Sequence, residues 1–139
     1  MNILFVHQNF PGQFRHLAPH LQRLGHQVQA LGIGGPGLPG VNMRRYKPRR
    51  LSSDSIHPWV REFEIKVIRG DACAHAARAL NTSGFRPDVT IANPGWGESI
   101  YLKQAARLVA VERYDLETVC LPKQVQLVES LADGAQMKN

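Results

Sequence analysis

The sequence predicts an α/β domain of three layers, a mainly parallel sheet with helices on both faces. Short β-branched and aromatic runs alternate with stretches of helical periodicity, in the order β-α-β-β-α-β-α. Glycine, proline or a polar cluster marks each change from one to the other. A length of 139 residues with 43% hydrophobic and 20% charged residues suits one domain with its own core.

The first strand is Asn2–Val6, a short apolar run stopped by His7, Gln8 and Asn9. Pro11 suits the first position of a helix, where its missing N–H costs nothing. Phe14, Leu17, Ala18, Leu21 and Leu24 then recur at helical spacing, Pro19 predicts a kink, and Gly25 supplies the stop. Residues 27–31 form a second strand. Five glycines and two prolines in 32–40 rule out a regular element. They superficially suggest a dinucleotide loop but follow the wrong strand, so they read as a flexible surface loop. A third strand is expected within 41–46 and an exposed basic and serine-rich loop over 47–56. From 58 to about 80 a helical stripe returns through Val60, Phe63, Val67, Gly70, Ala74 and Ala77. A strand at 88–92, a turn at 95–97 and a helix at 98–106 complete the pattern.

Right-handed crossovers make the first and fourth strands neighbours at a topological switch point. The segments leaving them, 7–13 and 93–98, then flank one crevice at the carboxyl edge of the sheet.

Several chemistries are excluded. Cys73 and Cys120 lie 47 positions apart, neither a disulfide framework nor a CxxC site. His16 and His20 stand at i,i+4 without the acidic partner of HExxH, so no metal is expected. The first apolar run is too short for a signal peptide or a membrane span, and a cytoplasmic protein is expected. The net charge of +6 is uneven, with ten Lys/Arg against three Asp/Glu in residues 1–70. Arg44, Arg45, Lys47, Arg49 and Arg50 form an anion-contact candidate for phosphate, acidic lipid head groups or nucleic acid. Tyr46 is the only aromatic residue among them, and no RNA- or DNA-binding signature accompanies them, which argues against nucleic acid.

Two motifs suggest binding chemistry. In His7-Gln8-Asn9-Phe10-Pro11-Gly12-Gln13-Phe14, Gly12 would let a ligand approach the backbone, and the helix start offers unpaired N–H groups. The same residues read equally as a polar turn stapled by Phe10 and Phe14. In Asn93-Pro94-Gly95-Trp96-Gly97-Glu98, the indole could stack on a sugar face and the carboxylate could hold hydroxyls. The alternative is a core-plugging Trp96 with Glu98 opening a helix.

Four blocks carry a resemblance: MNILFVHQNFPGQFRHLAPHLQRLGHQV, His57-Pro58-Trp59-Val60-Arg61-Glu62-Phe63-Glu64, Phe85-Arg86-Pro87-Asp88-Val89, and Pro94-Gly95-Trp96-Gly97-Glu98. Over about residues 1–104 the chain resembles the N-terminal domain of family 4 (group 1) glycosyltransferases. The resemblance implies a Rossmann-like domain, the N-terminal half of a GT-B fold, whose two domains face each other across a cleft. It implies an acceptor-binding half of a retaining enzyme that needs no metal and no cofactor, the nucleotide-sugar donor being a substrate. On that basis His7, Asn9, Gly12, Gln13, Asn93, Gly95, Trp96 and Glu98 are the acceptor-binding candidates, and no residue is assigned as catalytic. Members often carry His where this chain has Asn93, which cannot act as an acid or base. The implied partners are a sugar or glycolipid acceptor, a donor-binding domain or second chain, and an anionic membrane surface at the inner face. Residues 1–106 are read as the acceptor-side domain and 107–139 as a divergent tail, with a strand at 108–111 and a helix near 124–131. The chain is therefore expected to be a truncated or separately encoded half, inactive without a donor domain. The rival reading is a non-catalytic sugar- or phosphate-binding module of the same fold, followed by a basic nucleic-acid-binding protein.

Overall fold

A computed structural model of the chain describes residues 1–105, 126 and 128–130. The elements are β1 (Asn2–Val6), a 3-10 turn (Gly12–Phe14), α1 (Leu17–Arg23), β2 (Gln27–Gly32), β3 (Asn42–Arg45), α2 (Pro58–Thr82), β4 (Val89–Ala92), a second 3-10 turn (Pro94–Trp96) and α3 (Leu102–Ala105). The sheet runs β3-β2-β1-β4 and every pair is parallel. The α/β class and the neighbouring of the first and fourth strands are as the sequence predicts.

Alternation along β1 explains the three layers. Ile3 and Phe5 join Phe10, Phe14, Leu17, Ala18 and Leu21 in a core on the α1 side. Leu4 and Val6 join Ala72, Cys73, Ala77, Leu80 and Leu102 on the other, under α2 and α3. A strand covered on both faces must be apolar throughout, which is why 3–6 reads as a continuous run rather than an alternating one. Asp88 fixes the start of the β1–β4 ladder: its carboxylate accepts from the Asn2 N–H at 2.7 Å, and its own N–H donates to the Asn2 carbonyl at 2.8 Å.

Local differences from the sequence reading have simple causes. The expected helix from Pro11 begins instead as a 3-10 turn, and α1 starts only at Leu17. Pro19 is therefore the third residue of α1, where its missing N–H falls among the unpaired first four. Phe10 and Phe14 are both fully buried, but each packs on Phe5, with ring centroids at 6.4 and 4.8 Å. The helix expected at 98–106 is reduced, among the described residues, to Leu102–Ala105. The strand expected at 108–111 lies outside the described residues. Of the helix near 124–131, the described residues 126 and 128–130 are helical. Val128 is buried in the α1-side core, and Glu129 reaches His26 Nε2 at 3.4 Å.

Helix α2 is far longer than the strands it covers. Its 25 residues span about 37 Å at 1.5 Å per residue. Burial begins only at Ile68, so the earlier turns project beyond the carboxyl edge of the sheet. Val60 and Phe63, expected in the buried stripe, are accordingly 44% and 64% exposed. Among the described residues no helix is long and apolar enough to cross a membrane.

Where α2 crosses that edge it touches the second loop through two glycines. A side chain at Gly70 would meet the Gly97 carbonyl at 2.6 Å, and one at Gly97 would meet the Lys66 carbonyl at 2.5 Å. Gly97 also has φ +100°, a conformation costly for other residues. Gly97→Ala is expected to lower stability by about 2–3 kcal/mol, through steric overlap added to backbone strain. At Gly25 a Cβ meets nothing, so Gly25→Ala should cost only about 1 kcal/mol. Urea unfolding of the two variants checks the order.

Candidate functional site

Val6 and Ala92 pair at the ends of β1 and β4, and the chain leaves the sheet at His7 and Asn93. The His7 N–H still donates to the Leu31 carbonyl at 3.1 Å, which holds the residue at the sheet edge. Its Nδ1 accepts from the Asn9 N–H at 3.1 Å, so in the neutral ring the proton sits on Nε2. The imidazole lies edge-on to Phe14 and 5.8 Å from the Trp96 ring, tilted by 43°. Burial lowers its pKa from 6.5, opposed by the Asn9 contact, and keeps the ring uncharged near neutrality.

This placement corrects the reading of Gly12. A Cβ there would fall on the His7 ring, 2.5 Å from Nε2. The space that the sequence assigns to a ligand is filled by His7, and Gly12, at φ +48°, is what admits the ring.

The second loop presents its indole as expected. Asn93 Oδ1 accepts from the Gly95 N–H at 3.0 Å and opens the 3-10 turn. Gly95 is exposed, and Trp96 is 40% exposed beside His7. Asn9 is exposed and Gln13 half-buried on the first loop. His7 and Trp96 meet at the switch point, but Glu98 does not join their surface. It is 2% exposed and turns inward. Tyr46 Oη donates to its Oε1 at 3.0 Å, while Oε2 has no partner among the described residues. Burial raises the Glu98 pKa, against the pull of its own backbone, Tyr46 and Arg69. Burial likewise pushes up the Tyr46 phenol and the Cys73 thiol beside it. Tyr46, Cys73 and Glu98 thus form a hydrogen-bonding cluster that favours the uncharged state under the loops. Among the described residues no group of three His, Cys, Asp or Glu is placed to hold a metal ion.

Sequence reasoning missed Arg69 and Gln8. Arg69 Nη1 donates to Gln8 Oε1 at 3.0 Å and to the Trp96 carbonyl at 3.4 Å, so one guanidinium ties the two loops together. The available signal was a cation between Ile68 and Gly70 in a stripe of buried positions. The 32–40 loop was also misjudged. Ile33 and Gly34 donate to the Gln8 carbonyl at 3.0 and 2.9 Å, Gly37 donates to the Phe10 carbonyl at 3.2 Å, and Gly35 presses on that same carbonyl. It is a hydrogen-bonded backing for the first loop rather than a free surface loop.

The basic run divides. Arg45 donates to the Gly35 and Ile33 carbonyls at 2.7 and 3.4 Å, and so braces the glycine loop. Arg50 reaches Glu64 at 3.9 Å. Arg44, Lys47 and Arg49 are exposed, with no side-chain partner among the described residues. Arg49 and Arg50 border a hollow of about 360 Å³ with Val67, Ile68, Asp71 and Tyr101.

Stability should follow the two shifted groups. The raised Glu98 pKa gives a contribution that is full below its ordinary 4.5 and lost as pH rises through the folded value. The lowered His7 pKa gives one that is full above 6.5 and lost as pH falls through its folded value. Glu98→Gln keeps an acceptor for Tyr46 and removes the first dependence, so its unfolding free energy should stay flat where the wild type declines with rising pH. Urea unfolding across a pH series measures the difference.

No match is found among curated proteins. A family model, the glycosyl transferase family 4 group, matches residues 24–112. The matched stretch takes in β2, β3, α2, β4 and the second loop, with Arg69, Trp96 and Glu98, while β1 and the His7 loop precede it. The match covers three of the four resembling blocks and more than half of the chain, and the chain belongs to the glycosyl transferase family 4 group.

Proposed function

We propose that this chain is the acceptor-binding half of a retaining, GT-B-type glycosyltransferase that uses a nucleotide-sugar donor. The observation that carries the proposal is the pairing of His7 and Trp96 at the switch point, rings 5.8 Å apart, with the indole 40% exposed. Sugars present flat C–H faces and rings of hydroxyls. An exposed indole supplies the face, and Asn9, Gln13, Asn93 and the Gly95 backbone supply polar groups around it. His7, held neutral with its proton on Nε2, can donate from that atom. Buried Glu98 acts as a positioning residue: it carries Tyr46 and supports the turn that aims Trp96. The hollow beside Arg49 and Arg50 suits an acceptor carrying a negative group such as a phosphate.

In the proposed reaction the bond between the donor sugar's anomeric carbon and the diphosphate oxygen breaks. A bond from that carbon to an acceptor hydroxyl oxygen forms. The nucleoside diphosphate departs with the electron pair, and the hydroxyl proton passes to its departing oxygen. A donor-binding domain or second chain supplies the other wall of the cleft. This half contributes by fixing the acceptor's orientation, a source of rate that needs no charged side chain.

A second reading is favoured by Asn93. It has no titratable group, and its Oδ1 is already used by Gly95, which suits a sugar- or phosphate-binding module without chemistry of its own.

Trp59→Phe leaves Trp96 as the only indole, and a panel of monosaccharides and sugar phosphates can be titrated against its emission. A saturable change is expected. Arg69→Gln should weaken it about tenfold, since the charge-assisted tie between the loops is lost. A flat response to the whole panel, or equal affinity in a folded Arg69→Gln variant, would remove the acceptor site from this crevice. Sugar transfer when a donor-binding chain is added separates the enzyme from the binding module.

A further inference from the structure

We propose that Arg69 anchors a negatively charged group on the ligand of the crevice, so that the acceptor is an acidic sugar, one bearing a carboxylate or a phosphate. The inference rests on the crevice as the acceptor site and names the chemical class of its ligand. Its first support is a positive charge without a counter-ion. A guanidinium is effectively always charged in a protein. Arg69 is half-buried, and among the described residues it makes no salt bridge. Its hydrogen bonds go to neutral groups, the Gln8 side-chain amide and the Trp96 carbonyl. Its field also reaches Tyr46 and Glu98, but burial acts on both and favours the phenol and the carboxylic acid over their anions. Glu98 does not serve as the partner: Oε1 accepts from Tyr46, and Oε2 has no hydrogen-bond partner among the described residues.

Other cations of the chain differ. Arg44, Lys47 and Arg49 are exposed, where water and salt screen them. Arg50 has Glu64 at 3.9 Å. Arg69 has neither full hydration nor a carboxylate, and a half-buried cation so placed favours an anion brought by a ligand.

The second support is the set of donors left over. A guanidinium carries its N–H groups in a planar fork. Both bonds of Arg69 leave from Nη1, so Nη2 and Nε have no partner among the described residues. Two neighbouring donors of this kind grip a carboxylate or a phosphate through parallel bonds. Nη1 is meanwhile fixed to both loops, so the group is oriented before a ligand arrives and loses little freedom on binding one. The third support is position. The carbonyl that Arg69 holds belongs to Trp96, whose indole is exposed beside His7. The cation is thus bonded to the residue that carries the stacking face, and a charged substituent on a stacked sugar is the group to meet it.

The test uses the purified full chain carrying Trp59→Phe, read by Trp96 emission at about 150 mM salt, where loosely attracted anions are screened. The probes are glucose, glucuronate, glucose 6-phosphate and a nucleoside diphosphate. At least one of the two acids is expected to bind about tenfold or more tightly than glucose, and the one that gains more identifies the group. Arg69→Gln removes the loop tie for every sugar but the charge only for the acids, so the preference should fall to about onefold. A purely structural Arg69 would weaken all three sugars alike and leave the preference intact. Arg69→Lys keeps the charge but not the fork, so the preference should shrink to a few-fold. Gln8→Ala loosens the tie but keeps the cation, and should keep the preference. Equal affinity for glucose and both acids in the parent would overturn the proposal and leave the crevice as an acceptor site. A flat response to every probe would overturn both. An undiminished preference in either folded Arg69 variant would also count against the proposal. So would a preference lost in Arg49→Gln/Arg50→Gln and kept in Arg69→Gln. An Arg69-dependent gain for the nucleoside diphosphate alone would assign the cation to the donor and overturn the acidic acceptor.

Discussion

Strand β1 has no exposed face and no free edge. Ile3, Leu4, Phe5 and Val6 are fully buried, and β2 and β4 flank the strand on both sides. Because the chain enters the sheet at its centre, the later strands must be added outward in two directions. The β3-β2-β1-β4 order follows, and with it a place where consecutive connections diverge. His7 and Asn93 leave the sheet side by side there because Val6 and Ala92 are partners in register. The crevice is thus a product of strand order before any of its side chains are considered.

Its shape depends on close approach by backbone. Gly12 admits the His7 ring, and Gly70 and Gly97 let α2 run directly against the second loop. Arg69 uses that proximity to reach Gln8 and the Trp96 carbonyl together. Beneath them Glu98 exchanges solvent for a hydrogen bond from Tyr46, and burial favours the protonated carboxyl. These features make the loops a consequence of the helix behind them as much as of their own sequence.

The fold was legible because periodicity is a local property. Apolar runs at β1 and β4, helical spacing from Phe14 to Leu21, and the glycine stop at Gly25 all signal within a few residues. Trp96 was legible for the same reason, as a large ring flanked by glycines. What stayed hidden depends on separation. The tie from Arg69 to Gln8 crosses 61 positions, and the bond from Tyr46 to Glu98 crosses 52. Neither spacing has a pattern that one chain can display. Gly12 shows the limit most clearly: the need for glycine was readable, but whether a ligand or the protein's own His7 occupied the space was not. Val60 and Phe63 fit a buried stripe by spacing, yet the sheet ends before it can cover them.

The length of α2 fixes a distance. Trp59 and Arg69 are ten residues apart on one continuous helix, about 15 Å along its axis. A helix held at its inner end by the core and by the Gly70–Gly97 contact behaves as a strut rather than a hinge. Whatever rests on the outer end is held at a set standoff from the crevice at the inner end. A molecule reaching from one to the other would be selected by its span, as a gauge block accepts only a matching gap. Inserting a full turn into α2 ahead of Ile65 would lengthen that standoff by about 5 Å and leave the groups of the crevice in place.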